Sequence, residues 1–180
     1  MKIQIIIGST RDNRRGDKVG KWVFEQAEKR EGWEVELLDL KEWDLPMYNE
    51  PHPPKAEEWK AKIAEADGYI IVTPEYNHGY PASLKNALDY PYDEWARKAI
   101  GLVGYARGGF GGARSVEQLK PVGIELQMAV VPTSFYVSRV GDAYDESGNI
   151  KDPKQLTNLN EFFDDLDWWT KALKNAREKT

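Results

Sequence analysis

The chain has 180 residues, a formal charge of −5 and no cysteine, which predicts one domain (residues 1–180) with a sizeable core. The lack of cysteine excludes disulfides and thiolate chemistry, and two histidines are too few for a His-rich site, so no metal site is expected. The negative charge argues against nucleic-acid binding. Every apolar run is shorter than the ~20 residues that cross a bilayer, so no membrane association is expected. The first residues lack the length and cleavage site of a signal peptide, and a cytoplasmic location is expected.

Apolar patterns in the first part of the chain predict strands with helices between them. Strands are predicted at residues 2–7, 34–40 and 70–72, and helices at residues 17–30 and 59–66. Val19, Val23 and Ala27 recur every fourth residue and place one face of the first helix against a core. The β-branched run at 70–72 is typical of a buried strand, and it ends before Pro74, which has no N–H to give to a sheet. Residues 41–55 hold four prolines and predict a long loop.

The second part of the chain continues the same alternation. Helices are predicted at residues 81–90, 113–120 and 153–177, and strands at residues 99–105 and 128–137. Pro91 and Pro121 are expected to end the first two of these helices, and Pro132 to bend the last strand. Strands that alternate with helices predict an α/β fold with a doubly wound parallel sheet of five strands and helices on both faces.

The loop after the first predicted strand carries hydroxyls and positive charge. Its candidate anion-binding residues are Ser9, Thr10, Arg11, Arg14 and Arg15. A phosphate favours short donors, cations and a helix N-terminus, and all three are expected here. The loop matches neither the Walker pattern nor G-x-G-x-x-G. A solvated basic turn is the alternative. Asp12 lies in the same loop, and its carboxylate is expected to point to water because a phosphate would repel it.

Two further loops follow predicted strands, and ligands of open α/β sheets bind beyond the carboxyl ends of strands. The first is a polar turn made of Pro74, Glu75, Tyr76, Asn77, His78 and Gly79. The second, residues 105–114, has four glycines among its ten residues, and glycine lets backbone approach a planar ligand closely. Its candidate binding residues are Arg107, Gly108 and Gly109. The alternative for the first of these loops is a tight connection that only caps a helix. The alternative for the second is a flexible connection.

These loops resemble those of the NAD(P)H-dependent FMN reductase family. The resemblance lies in P-E-Y-N-H-G-Y-P at residues 74–81 with L-K-N-A at 84–87, in G-S-T-R at 8–11 with a further arginine, and in G-G-A-R at 111–114. It implies a flavodoxin-like fold with strand order 2-1-3-4-5. It also implies that FMN is held without a covalent bond by the loop residues named above, with NADPH or NADH as co-substrate. The last two loops would then face the flavin ring, and the first its phosphate.

The resemblance further implies an enzyme that reduces quinones, azo compounds, metal oxyanions or free flavin by ping-pong hydride transfer. No catalytic side chain is expected, because the flavin itself accepts the hydride. Two alternatives remain open: a one-electron carrier of the flavodoxin type, and a flavin-free structural or interaction protein, natural or engineered. Family members usually pair about the helix predicted at 81–90, so a homodimer or homotetramer is expected. The aromatic residues there (Tyr80, Tyr90, Tyr92 and Trp95) form either that interface or a cluster within one subunit.

Overall fold

The structure is a computed structural model that describes residues 1–179. Its sheet has five parallel strands in the spatial order β2-β1-β3-β4-β5. The strands are β1 (Lys2–Ile7), β2 (Glu34–Asp39), β3 (Gly68–Pro74), β4 (Ala99–Tyr105) and β5 (Ala129–Val137). The predicted fold class and strand order are therefore confirmed.

Helices cover both faces of this sheet. They are α1 (Gly16–Ala27), α2 (Leu40–Trp43), α3 (Pro54–Ala64), α4 (Ala82–Asp89), α5 (Ala113–Glu125) and α6 (Pro153–Arg177), with a single 3₁₀ turn at Asp93–Trp95. Helices α1 and α6 pack on one face, and α3, α4 and α5 on the other. None of the helices within residues 1–179 is both long and apolar enough to cross a membrane.

The two faces of the sheet bury two separate apolar cores. Strands β3 and β4 are buried along their whole length, as expected for central parallel strands. On one face Trp22 stacks on Phe135, with ring centroids 5.9 Å apart. On the other face Trp59 is fully buried, and its Nε1 donates to the carbonyl of Ala87 at 2.8 Å. Packing on both faces of the sheet therefore holds β3 and β4 in position, and this fixes the positions of the loops at their carboxyl ends.

The prediction that Pro121 ends its helix is wrong, because α5 continues through it to Glu125. Leu119 before the proline and Gly123 after it are both buried against the sheet. A Cβ at Gly123 would lie 2.9 Å from Val130, so the last turn packs closely on β5. This packing outweighs the one backbone hydrogen bond that proline cannot make.

The predicted loop at 41–55 is only partly irregular. Helix α2 occupies its start, capped by the carboxylate of Asp39, which accepts from the N–H of Lys41 at 2.9 Å. The remainder is held by Asn86 of α4, whose side chain accepts from the N–H of Tyr48 and donates to the carbonyl of Pro46, both at 2.7 Å. Because these bonds join distant segments, the sequence pattern gave no sign of them.

The aromatic cluster after α4 is largely internal. Helix α4 ends at Asp89, just before Pro91, as predicted. Tyr90 and Trp95 are 2% and 0% exposed and belong to the second core, whereas Tyr92 is 53% exposed. Tyr90 and Trp95 therefore pack within one subunit, Tyr80 is half-buried against the same core, and Tyr92 is exposed to a partner.

Candidate functional site

Three loops meet at the carboxyl edge of the sheet. Strands β1, β3 and β4 are neighbours, with Ile7 beside Val72 and Val72 beside Val103, so their ends lie side by side. The loops that follow them enclose a cleft of about 360 Å³. Its walls are Arg11, Asn13, Arg14, Arg15, Pro74, Glu75, Tyr76, Tyr105, Ala106, Arg107, Gly108, Phe110, Arg114 and Val140.

In the first loop, Arg14 is tied to the protein rather than open to a ligand. Its guanidinium donates to Asp39 Oδ1 at 2.7 Å and to Asp17 Oδ1 at 2.6 Å, and also to the carbonyl of Ser9. Its side chain is only 5% exposed. The guanidinium of Arg14 thus joins the loop after β1 to the end of β2, and Asp39 neutralises the charge of Arg14.

Arg11 and Arg15 supply the open positive charge of this loop. Both side chains belong to exposed residues that line the cleft, and within residues 1–179 neither pairs with a carboxylate. Helix α1 starts directly after Arg15 without a side-chain cap, so its first N–H groups have no partner within the helix. Cations and open N–H groups at a helix start are the donors that a phosphate requires.

Asp12 is turned away from this donor set. Its carboxylate lies 2.7 Å from Lys41 Nζ, and this pairing lowers the pKa of Asp12. The side chain is 90% exposed, consistent with the expected outward orientation. A phosphate in the cleft would therefore not face this negative charge directly.

Beneath the first loop lies a buried pair of hydroxyls. Ser9 Oγ and Tyr105 Oη are 3.0 Å apart, and both residues are almost fully buried. Burial raises the pKa of Tyr105 far above its usual value, so the phenol stays protonated. The pair joins the loop after β1 to the end of β4 and fixes the distance between them.

The second loop is a tight turn that presents Tyr76 to the cleft. Tyr76 and Gly79 exchange backbone hydrogen bonds of 2.8 and 3.0 Å. Asn77 and His78 between them have φ values of 50° and 70°, the left-handed conformation that a two-residue type I′ turn demands. The ring of Tyr76 lies under the guanidinium of Arg11 at 5.3 Å, which brings an aromatic wall next to the cationic loop.

The third loop is tied to the second by Arg114. Its Nε donates to Glu75 Oε1 at 2.5 Å and its Nη1 to His78 Nε2 at 2.7 Å, while its guanidinium covers the ring of Phe110 at 5.2 Å. Gly112 starts α5 with φ of 85°, and a Cβ there would lie 2.6 Å from the backbone nitrogen of Tyr105. Glycine is therefore required at residue 112, because any side chain there would collide with the backbone at the end of β4.

The structure brings together most of the candidate residues predicted from sequence. Those that line the cleft are Arg11, Arg14, Arg15, Pro74, Glu75, Tyr76, Arg107 and Gly108. Ser9 lies beneath the loop, and Thr10 faces a neighbouring depression beside Lys41 and Ser83. Asn77, His78 and Gly79 form the turn beyond Tyr76. The carbonyl of Gly109 accepts from Ser138 Oγ at 2.7 Å, so this residue supports the wall from outside.

Several cleft residues lay outside the predicted set, namely Asn13, Tyr105, Ala106, Phe110, Arg114 and Val140. Tyr105 is the last residue of β4 and Ala106 follows it. Because ligands bind beyond the carboxyl ends of parallel strands, both residues could have been predicted from sequence. Val140 follows β5 and reaches the cleft only because β5 neighbours β4, which the local pattern does not reveal. Among residues 1–179 no three His, Asp or Glu side chains are arranged to hold a metal ion.

The sheet order, the cationic loop after β1 and the aromatic turn after β3 define a flavodoxin-like protein with a cleft suited to a flat, phosphate-bearing ligand. The chain belongs to the NADPH-dependent FMN reductase family, whose sequence profile matches residues 1–142.

Three known proteins illustrate the similarity. An NAD(P)H-dependent FMN reductase of Schizosaccharomyces pombe is 42% identical over 142 residues, covering 73% of this chain and 70% of the relative. An NADPH:quinone oxidoreductase of Arabidopsis thaliana is 30% identical over 155 residues, covering 79% and 78%. The solved structure of the flavoenzyme FerB, an NAD(P)H:(acceptor) oxidoreductase from Paracoccus denitrificans, superposes with a TM-score of 0.80 at 27% identity, covering 94% of this chain and 97% of that one.

The residues of this cleft fit FMN. Arg11, Arg15 and the uncapped start of α1 match the needs of a phosphate. Tyr76 and the backbone around Gly108 offer flat surfaces next to them. The polar donors and the flat walls thus occupy adjoining parts of one cleft, as a ligand with a phosphate tail and a planar ring requires.

Proposed function

We propose that the chain is an NAD(P)H-dependent FMN reductase that reduces small acceptors: quinones, azo compounds, metal oxyanions or free flavin. The observation that carries this proposal is that Arg11 and Arg15, which pair with no carboxylate within residues 1–179, line the same cleft as the aromatic ring of Tyr76. Membership in the NADPH-dependent FMN reductase family supports the same conclusion.

In this proposal each loop has its own part in holding FMN. The phosphate binds the loop that carries Ser9, Thr10, Arg11, Arg14 and Arg15, with Arg11 and Arg15 as direct cationic partners. Arg14 acts by fixing the loop on Asp39. The turn at residues 74–79 and the backbone at 107–109 flank the ring.

When bound, FMN supplies the hydride chemistry, and the chain's own residues bind and orient the reactants. No cleft side chain has to act as an acid or base. The acidic side chain at the cleft wall, Glu75, is 5% exposed and already paired with Arg114, so we assign it to the support of its loop. NAD(P)H and the acceptor use the same cleft, and we therefore propose a ping-pong order in which the first product leaves before the acceptor enters.

Steady-state oxidation of NADPH with a benzoquinone or naphthoquinone as acceptor tests this proposal. The FMN-loaded protein should turn over many equivalents of NADPH, and double-reciprocal plots at several quinone concentrations should be parallel. A one-electron carrier of the flavodoxin type would consume almost no NADPH under these conditions. A protein that binds no FMN would instead support the flavin-free alternative.

We also propose that the chain forms a homodimer or homotetramer through the surface beside α4. Met47, Tyr48 and Tyr92 are 75%, 45% and 53% exposed, and Tyr48 is bonded through its backbone to Asn86 of α4. Aromatic residues and methionine are enriched in association surfaces. Light scattering on the purified protein tests this, and a mass of one chain (20.6 kDa) would exclude it.

A further inference from the structure

The cleft carries more positive charge than one flavin phosphate needs. Arg14 is neutralised by Asp39 and Arg114 by Glu75. A bound phosphate monoester carries about −1.5 to −2 charges near neutral pH, which Arg11 and Arg15 together balance. Further arginines follow other strands at the same edge of the sheet, and the balance of charge between the phosphate, Arg11 and Arg15 does not involve them.

These surplus cations are Arg107, after β4, and Arg139, after β5. Both are exposed, and neither forms an ion pair anywhere in the described part of the chain. The N–H of Arg139 donates to the carbonyl of Gly108 at 3.1 Å, so Arg139 stands beside the residue that follows Arg107. The next residue along, Val140, lines the cleft itself.

The two arginines follow strands that lie farther along the sheet edge than β1. Neighbouring strands are ~4.8 Å apart, so β4 and β5 stand about 10 and 14 Å from β1. Arg107 lines the same cleft as Arg11 and Arg15, whereas Arg139 follows β5. A phosphate held by the loop after β1 is therefore farthest from Arg139, and a second anionic group between Arg139 and Arg107 would pair with both.

The acidic residues of the same turn do not neutralise this pair. The carboxylate of Asp145 accepts from the N–H of Asn149 at 2.9 Å. Asp142 donates its N–H to the carbonyl of Arg139 at 2.8 Å, and its carboxylate makes no ion pair within residues 1–179.

We propose that Arg107 and Arg139 bind the 2′-phosphate of NADPH and make the enzyme prefer NADPH over NADH. This inference rests on the proposed reductase function and assigns the side chain of Arg107 to the dinucleotide, while its backbone flanks the flavin. The 2′-phosphate is the group that distinguishes the two dinucleotides, and a pair of arginines is well suited to hold it.

The test uses Arg107→Gln, Arg139→Gln and the double variant, with Arg97→Gln as the matched control. Arg97 is also exposed, makes no ion pair within the described residues and, like Arg139, has a left-handed φ. It stands just before β4, at the opposite edge of the sheet. The control thus removes the same charge from a similar backbone far from the cleft.

Arg107→Gln and Arg139→Gln should each lower the ratio of kcat/KM for NADPH to that for NADH about tenfold, the size of one charge-assisted hydrogen bond. The double variant should lower it further, and Arg97→Gln should leave it unchanged. Calorimetric titration of the FMN-loaded protein provides a second readout. The wild type should bind adenosine 2′,5′-bisphosphate more tightly than 5′-AMP, and the double variant should lose this difference.

Three results would overturn the assignment in distinguishable ways. An unchanged NADPH/NADH ratio with unchanged FMN affinity would show that the two arginines bind neither ligand. An unchanged ratio with weaker FMN binding would assign them to the flavin. A wild-type protein that binds no FMN and oxidises neither dinucleotide would overturn the reductase function, and the inference with it.

Discussion

Two arginines of the loop after β1, Arg11 and Arg14, look alike in sequence and should behave differently on substitution. Arg14→Ala leaves the carboxylate of Asp39, which is 14% exposed, without its ion-pair partner. Removal of one partner of a buried pair costs about 3–5 kcal/mol. We expect about 3 kcal/mol here, because Asp39 keeps the hydrogen bond from the N–H of Lys41. Loss of the loop's support should also weaken FMN binding by about 1–3 kcal/mol.

Arg11→Ala removes only an exposed cation–π contact with Tyr76, which is worth about 0.5–1 kcal/mol. The stability of the apoprotein should therefore change by less than about 1 kcal/mol. FMN binding should still weaken by about 1–3 kcal/mol, because a charge-assisted hydrogen bond to the phosphate is lost.

Urea unfolding of the apoprotein and fluorescence titration with FMN measure the two quantities separately. Arg97→Ala serves as the control for loss of one exposed arginine. Equal unfolding free energies for the Arg11 and Arg14 variants would refute the structural role of Arg14. Unchanged FMN affinity in both variants would refute the assignment of the FMN phosphate to the loop after β1.

The remaining predictions concern buried groups near the site and at the opposite edge. Tyr105→Phe leaves Ser9 Oγ buried without its 3.0 Å partner, so stability should fall by about 1–3 kcal/mol, and the double variant with Ser9→Ala should recover part of this loss in urea unfolding. Gly112→Ala forces a Cβ to 2.6 Å from backbone at a left-handed φ, and should cost about 2 kcal/mol or more; an unchanged melting temperature would contradict the loop geometry. Burial lowers the pKa of Lys98 to about 8, below its value of about 10.4 in the unfolded chain. The unfolded chain then binds more protons between pH 8 and 10, so the stability of the wild type should rise relative to Lys98→Met by about 2 kcal/mol over this range. A difference between the two proteins that does not vary with pH would refute the buried ammonium.

The fold could be predicted from sequence because its signals are local. The β-branched run at 70–72 and the apolar spacing of Val19 and Val23 each act within one element, and the structure buries both. The order of the strands came from the resemblance of the loops rather than from the pattern. The expectation that Pro121 ends its helix is wrong, because packing on either side of the proline, a property of the whole fold, outweighs its local cost.

The candidate site was predictable as a set of loops, and less so as individual side chains. Nothing in the sequence separates Arg11 from Arg14, because the partner of Arg14 is Asp39, 25 residues away on a neighbouring strand. Arg114 binds Glu75 across two loops, a contact that depends on β3 and β4 being neighbours. Sequence patterns report which residues follow strands, whereas the pairing of their charges depends on how the strands are ordered.

We propose that the loop after β1 holds the phosphate of a flavin in the cleft. Parallel titrations of the apoprotein with FMN and with riboflavin, which lacks the phosphate, test this role of the loop. Two charge-assisted hydrogen bonds from Arg11 and Arg15 predict FMN binding about 100-fold tighter than riboflavin. Equal affinities for the two flavins, or no binding of either, would contradict the assignment of the phosphate to this loop.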